Sequence, residues 1–351
     1  MWRQRGAMAV DRRNTPGLDL LRRVVNMFML RFDMRAPTTG APPQELYQAA
    51  LEMTCWSESR GVLTVVLSEH HVTGDGYLPS PLLMASALAA RTTTVPITVA
   101  IVILPLYQTI RLAEEMIILD LMSGGRVGYV AAIGYRPEEY ELYGIEFGQR
   151  GKIADEQLPI LLAAKSGEPF EYRGQMVQLM PAPLTPGGPR IAWGGGSVPA
   201  AKRAGRFGLD FFAQTNHPSL EEAYRAAARA HGHEPGMCML PSPDTTTTLF
   251  VADNVDQAWE ELGPYLMHDV LSYASINAKD TRTASISFAE TADELRAENR
   301  SHRIVNVDEA VSMIRSGDIL QLQPLVGGLP PEIAWPYLRR VTDEVMPSLN
   351  D

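Results

Sequence analysis

Two rhythms alternate along the chain. Short runs rich in Val, Ile and Leu are separated by longer stretches in which apolar residues recur at helical spacing. Val24–Met34 predicts a first strand, and Pro43–Arg60 a helix with Leu46, Ala49, Ala50 and Met53 on one face and Gly61 placed to end it. Val62–Glu69 is apolar on both faces, as a buried parallel strand requires. The pattern continues with a helix over Pro81–Arg91, a strand over Ile97–Leu104, a helix over Tyr107–Met122, a strand over Arg126–Gly134 and a helix over Gln149–Lys165. Beyond these come strands at Arg190–Trp193, Leu209–Gln214, Thr246–Ala252 and Leu320–Leu325. The helices of this half are one ending near Phe207, then Ser219–Ala230, Val255–Val270, Asp308–Ile314 and Pro331–Met346. Residues 271–305 are polar and irregular, and predict a mobile excursion with one helix inside it.

Eight strands alternating with at least eight helices favour a closed (β/α)8 TIM barrel over a doubly wound sheet. The doubly wound alternative would prefer a GxGxxG turn after an early strand, and the chain has none, nor a phosphate-binding GxxxxGK[ST] loop. The 351 residues, which by length alone suggest two domains, therefore read as one barrel domain over 23–351 with a loop and helix insertion late in the barrel. Residues 1–22, basic at Arg3, Arg5, Arg12 and Arg13, read as a disordered extension.

Composition narrows the function classes. A formal net charge of −10 argues against a nucleic-acid or anionic-membrane partner. The most apolar run, Val95–Leu106, is broken by Pro96 and Pro105 and is too short to span a bilayer. Cys55 and Cys238 lie far apart and without CxxC spacing, which excludes a disulfide scaffold and a thiolate zinc site and fits a reducing cytoplasm.

In a barrel the chemistry sits on the loops after the strand C-termini. After the second strand come Ser68, Glu69, His70 and His71. Adjacent residues on a strand face opposite ways, so the two imidazoles do not converge on one metal ion, and no metal site is expected. One histidine at a barrel mouth suits general acid or base work; two can equally cap a strand by bonding to backbone. After the fourth strand, Gly134 permits close approach of a planar ligand, and Arg136 could meet an anion or lie in a surface loop. After the fifth comes Gly194-Gly195-Gly196-Ser197 and then a helix, a pattern that can hold a phosphate on backbone N–H groups or be a capped turn. Arg126, after Gly124-Gly125, faces the barrel bottom and reads as structural.

Taken in order, Glu69-His70-His71-Val72-Thr73, Ala100–Pro105, Leu119–Arg126, Gly194–Ser197 and Glu344–Pro347 make the chain resemble the bacterial luciferase-like flavin monooxygenase family from about Val24 to Pro347. The resemblance implies a (β/α)8 barrel binding reduced flavin or a deazaflavin at the strand C-termini. It implies that His70 is the catalytic histidine and that Gly195, Gly196 and Ser197 form the phosphate turn. Ala100 and Ile101 match a pair that lies against the isoalloxazine, where the family often has a non-proline cis peptide, and Gly134 joins the cofactor set. Two positions depart from luciferase itself. Its reactive cysteine after the fourth strand corresponds to Ala131 or Ala132, and its acidic residue before the phosphate-turn serine is Gly196. Light emission from an aldehyde is therefore not implied.

The activity this implies is oxygenation of a small organic substrate by reduced FMN, used as a co-substrate and delivered by a separate flavin reductase, in a cytoplasmic homodimer. A coenzyme F-420-dependent hydride-transfer oxidoreductase on the same barrel is the alternative. A non-catalytic flavin-binding protein and an unrelated phosphate-binding barrel enzyme are the remaining readings. Substrate contacts are expected from the loops around Asp75–Tyr77, Tyr135–Tyr140, Asn216-His217 and 271–305.

Overall fold

The computed structural model describes residues 28–242, 244–276, 283 and 286–349. The expected extension over 1–22 lies outside them. The first half matches the alternation of the sequence closely. Strand β1 (Phe28–Phe32) is followed by α1 (Pro43–Glu58), β2 (Val62–Leu67), α2 (Pro81–Arg91), β3 (Ile97–Ile103), α3 (Thr109–Ser123) and β4 (Val127–Ala132). Two helices follow, α4 (Pro137–Leu142) and α5 (Arg150–Ala164). The second half contains an antiparallel hairpin, β5 (Phe170–Tyr172) and β6 (Gln175–Val177), then β7 (Arg190–Gly195), α6 (Val198–Arg206), β8 (Phe211–Ala213), α7 (Pro218–Ala230), β9 (Cys238–Met239) and β10 (Thr248–Val251). It closes with α8 (Val255–Ile276), α9 (Ala292–Glu298), β11 (His302–Val305), α10 (Val307–Arg315), β12 (Leu320–Leu322) and α11 (Pro331–Arg340).

Ten of these strands form one sheet in the order β11-β10-β12-β1-β2-β3-β4-β7-β8-β9, all paired in parallel. Parallel neighbours need a crossover between them, and the helices between successive strands supply it. The sheet is curled. Residues on or just after β1, β2, β3, β4, β7 and β8 all line one interior cavity, which a flat sheet could not arrange. Among the described residues no pairing joins β11 to β9 across the remaining gap.

On β1 the pleat buries Phe28, Leu30 and Phe32 fully, and turns Met29 and Arg31 to the other face. The Leu119–Arg126 segment serves the architecture. The buried Asp120 carboxylate accepts hydrogen bonds from Thr185 N and Oγ1 at 2.8 and 2.6 Å. Gly124 ends α3 in the left-handed region, and Arg126 donates to the carbonyls of Ala89, Thr92, Val95 and Ser123. Arg126 is structural, as the sequence suggests.

The late insertion is more ordered than expected where it is described. Helix α8 runs to Ile276 rather than Val270, and β11 is a true strand paired with β10. Asp269 and His302 explain why the apolar rhythm fades there. Both are buried, and they bond to each other at 3.0 Å, so polar residues occupy core positions. The hairpin β5–β6 escapes notice because it is largely exposed; its turn is Arg173-Gly174, both at positive φ.

Candidate active site

One cavity of about 440 Å3 brings together the residues expected to be catalytic or cofactor-binding: His70, Ala100, Ile101, Gly134, Gly195, Gly196 and Ser197. Tyr77, Tyr135 and Tyr273 from the expected substrate loops also line it, together with Arg31 and Arg150. Asn216 and His217 are not among its lining residues; His217 instead caps α7 through Ser219 N. A second hollow of about 550 Å3 lies on the outside, between α2 and α3, and is reached by Glu69 and His71.

The two histidines lie in the loop after β2 and turn to different sides. His70 Nδ1 lies 2.7 Å from Glu139 Oε1, an oxygen that also accepts the His71 N–H at 3.0 Å. Nδ1 is therefore the donor, which leaves Nε2 as an acceptor 3.0 Å from the Tyr135 hydroxyl. Burial lowers the His70 pKa, although the hydrogen bond and charge of Glu139 oppose it. The imidazole facing the cavity is thus held neutral near neutral pH. His71 turns the other way: its Nε2 meets Glu69 Oε1 at 3.0 Å and its Nδ1 meets Tyr143 Oη at 3.3 Å. Glu69 also accepts from Ile103 N and from Tyr107 Oη, so it pins the end of β3 beneath the cavity. Arg136 does not face the cavity. It is buried against the carbonyl of His71 at 2.7 Å and stands 3.6 Å from Glu139, so its role is to hold the loop.

Opposite His70 the wall is flat and apolar. The Ala100–Ile101 peptide is cis, within β3 where the pairing with β4 shifts register. Val130 and Ala132 lie beside it, and Gly134 adopts φ of 63°, where an added Cβ would come within 2.9 Å of Ile103. Beyond this wall lies the glycine turn. An added Cβ on Gly195, at φ of 147°, would meet the Ala200 Cβ at 2.7 Å; one on Gly196 would meet Thr215 at 3.1 Å. Ser197 caps α6 only loosely, with Ala200 N at 3.4 Å, and Pro199 carries no N–H, so this helix end offers an anion the Ser197 hydroxyl and the Val198 N–H.

Arg150 supplies a cation on the same wall. Its guanidinium lies 3.7 Å from the Phe147 ring centroid, its Nη1 donates to Phe147 O at 2.9 Å, and its buried Nε has no partner. A planar cofactor with a phosphate tail fits these groups: a ring against Ala100, Ile101 and Gly134, and a phosphate between the glycine turn, Ser197 and Arg150. Sequence reasoning passed over Arg150 and Glu139. A basic residue opening a helix opposes the helix dipole, and that was the available signal for Arg150. Glu139 had no such mark, since its partner His70 is 69 residues away.

Beneath the cavity lies a buried ionic network. Arg35 pairs with Asp75, approaches Asp33 and Asp269 at 3.6 and 3.7 Å, and lies over the rings of Tyr77 and Tyr273. Gln323 donates to Asp33 at 2.8 Å, and His302 holds Asp269. Burial, then the neighbouring Asp269, pushes Asp33 up to about 6. Among the described residues no cluster of three or more His, Cys, Asp or Glu could hold a metal ion, and no helix is long and apolar enough to cross a membrane.

A family model described as luciferase-like monooxygenase matches residues 27–315. The alkanal monooxygenase alpha chain of Photorhabdus luminescens is 26% identical over 213 residues, covering 56% of this chain and 58% of that one. The chain spans about half the length of the first curated relatives it matches. Among solved structures, monooxygenase RslO1 from Streptomyces bottropensis superposes with a TM-score of 0.72 at 20% identity, over 92% of this chain and 99% of that one. The oxygenating constituent of 3,6-diketocamphane monooxygenase from Pseudomonas putida, solved in complex with FMN, gives 0.66 at 20% over 92% and 99%. An F-420-dependent secondary alcohol dehydrogenase gives 0.61 at 18% over 93% and 100%. These likenesses show that the curled parallel sheet is the same barrel fold.

Proposed function

The chain belongs to the luciferase-like monooxygenase family, and from that premise we propose that it oxygenates a small organic substrate with reduced FMN and dioxygen, the reduced flavin being supplied by a separate reductase. The observation that carries the reading is the single cavity in which a neutral, carboxylate-held His70 faces an apolar wall and a glycine-rich anion turn. When bound, reduced FMN supplies the two electrons that let one oxygen atom enter the substrate while the other leaves as water.

The chain's own residues do the rest. Gly195, Gly196, Ser197 and Arg150 would hold the phosphate, with the unpartnered Arg150 Nε among the donors they would offer it. Ala100, Ile101, Val130 and Ala132 keep water from the ring. His70 Nε2 accepts a proton from the reacting groups and returns it, while Glu139 fixes the tautomer through Nδ1. Tyr135, on the same nitrogen, donates when no other donor is present. Two copies are expected to form a dimer.

Coenzyme F-420 carries a phosphate that the same turn would hold, and one solved neighbour is F-420-dependent. Anaerobic titration with reduced FMN and with reduced F-420 separates the two readings. Tight binding of reduced FMN, followed by substrate-dependent oxygen consumption, is the expected result. Tight binding of reduced F-420 alone overturns the proposal.

A further inference from the structure

Arg31 is a charged residue in the middle of an otherwise apolar buried strand. The pleat turns its guanidinium into the cavity, beside Tyr77 and Tyr273. One nitrogen, Nη2, donates to Tyr273 Oη at 2.7 Å, and Tyr273 Oη lies 2.9 Å from Tyr77 Oη. Tyr77 packs edge-on against His70, with ring centroids 4.8 Å apart. No carboxylate stands within ion-pair distance of Arg31 among the described residues. The nearest acids bond to other groups, Asp33 to Gln323 beside Arg35 and Asp269 to His302 beside Arg35, and act on Arg31 only through space.

A guanidinium is never neutral in a protein, and one facing a cavity with no carboxylate in direct contact among the described residues keeps its fork open to a ligand, while Asp269 and Asp33 favour its charge from further off. Arg31 is not placed for the flavin phosphate. It sits on β1, and the glycine turn follows β7; β2, β3 and β4 lie between them in the sheet. The two cations thus mark two ends of one cavity, with Arg150 at the phosphate end and Arg31 at the His70 end.

Resting on the flavin reading above, we propose that Arg31, with Tyr273, forms an oxyanion subsite for the organic substrate, so that the substrate is a small carboxylic acid held by its carboxylate beside His70. The planar fork of arginine matches the two oxygens of a carboxylate, and charge-assisted hydrogen bonds there add orientation as well as affinity. A carboxylate so anchored leaves the rest of the molecule along the Tyr77–His70 wall, where oxygen would be transferred.

The test is calorimetric titration of the FMN-loaded protein with benzoate and hexanoate, each against its primary amide. The wild type is expected to prefer at least one acid over its amide by roughly tenfold or more. Arg31→Met should abolish that preference while leaving the FMN affinity within about threefold, and Arg31→Lys, which keeps the charge but loses the fork, should retain part of it. Equal binding of acid and amide in both pairs by the wild type overturns the proposal, and this comparison needs no variant to fold. It is also overturned if Arg31→Met loses FMN affinity and keeps the acid preference, because Arg31 would then belong to the flavin. Failure of the wild type to bind FMN at all sinks the flavin reading instead, and the same titrations on the flavin-free protein still read the subsite.

Discussion

His70 and His71 are consecutive, equally buried at 5% and 6% exposure, and equally furnished with a buried glutamate and a tyrosine. Yet one faces the cavity with the glycine turn and the other faces the hollow between α2 and α3. The chemistry of a histidine here is decided by the face it takes, not by its immediate partners. Glu139 holds His70 from α4, so the ring presents Nε2 to whatever occupies the cavity. Glu69 holds His71 while bonding Ile103 N and Tyr107 Oη, so that pair fastens β3 to the segment after β2. The first arrangement leaves a nitrogen for a substrate; the second spends its donors on the scaffold.

The division breaks most visibly under alanine. His70→Ala should lower oxygen-dependent turnover by about 100-fold or more, the usual scale of a lost general acid or base, with a modest change in melting temperature. His71→Ala should do the reverse: turnover within roughly threefold, and stability reduced by about 1–2 kcal/mol, because Glu69 loses one buried partner. Parallel kinetic and thermal-melt measurements check both. Equal loss of turnover in the two variants would dissolve the distinction.

A smaller effect sharpens it. Glu139→Gln keeps the shape but removes the charge that raises the His70 pKa against burial. Turnover should fall roughly tenfold, and the acid limb of its pH profile should move to lower pH, since the imidazole then protonates less readily. A limb that stays in place would mean that Glu139 does not act through His70. The smallest effect is on stability against pH. The folded His70 pKa lies below its ordinary 6.5, so its contribution is whole above that value and fades as pH falls towards the folded value. The wild type should therefore melt above His70→Asn by the widest margin near pH 8, with the margin narrowing towards pH 5.

The same contrast explains what the sequence revealed. Strongly apolar β3 and the Pro81–Arg91 helix were legible because propensity, patterning and burial agree there. Strand period predicts opposed faces for His70 and His71, and they do part, but β2 ends at Leu67, so the loop and its bonds to Glu139 and Glu69 set their directions. The end of α8 and strand β11 were hidden because Asp269, Tyr273 and His302 put polar groups on core positions, and their partners lie far along the chain. Arg31 is not singled out by the sequence, since its meaning depends on Tyr273, 242 residues away. The roles given to Ala100 and Ile101 come from family resemblance, and that of Ser197 from the glycine-rich turn before a helix as well; the geometry adds that they share one cavity with His70.

The central claim is that this cavity, rather than the larger outer hollow, receives the flavin. FMN affinity, read by quenching of flavin fluorescence, tests it in two variants. In Gly195→Ala the new methyl meets the Ala200 Cβ at 2.7 Å, and affinity should fall roughly tenfold or more. Leu83→Trp fills the outer hollow from a position 73% exposed and should leave affinity unchanged. Loss of FMN binding in Leu83→Trp, with Gly195→Ala intact, would contradict the account.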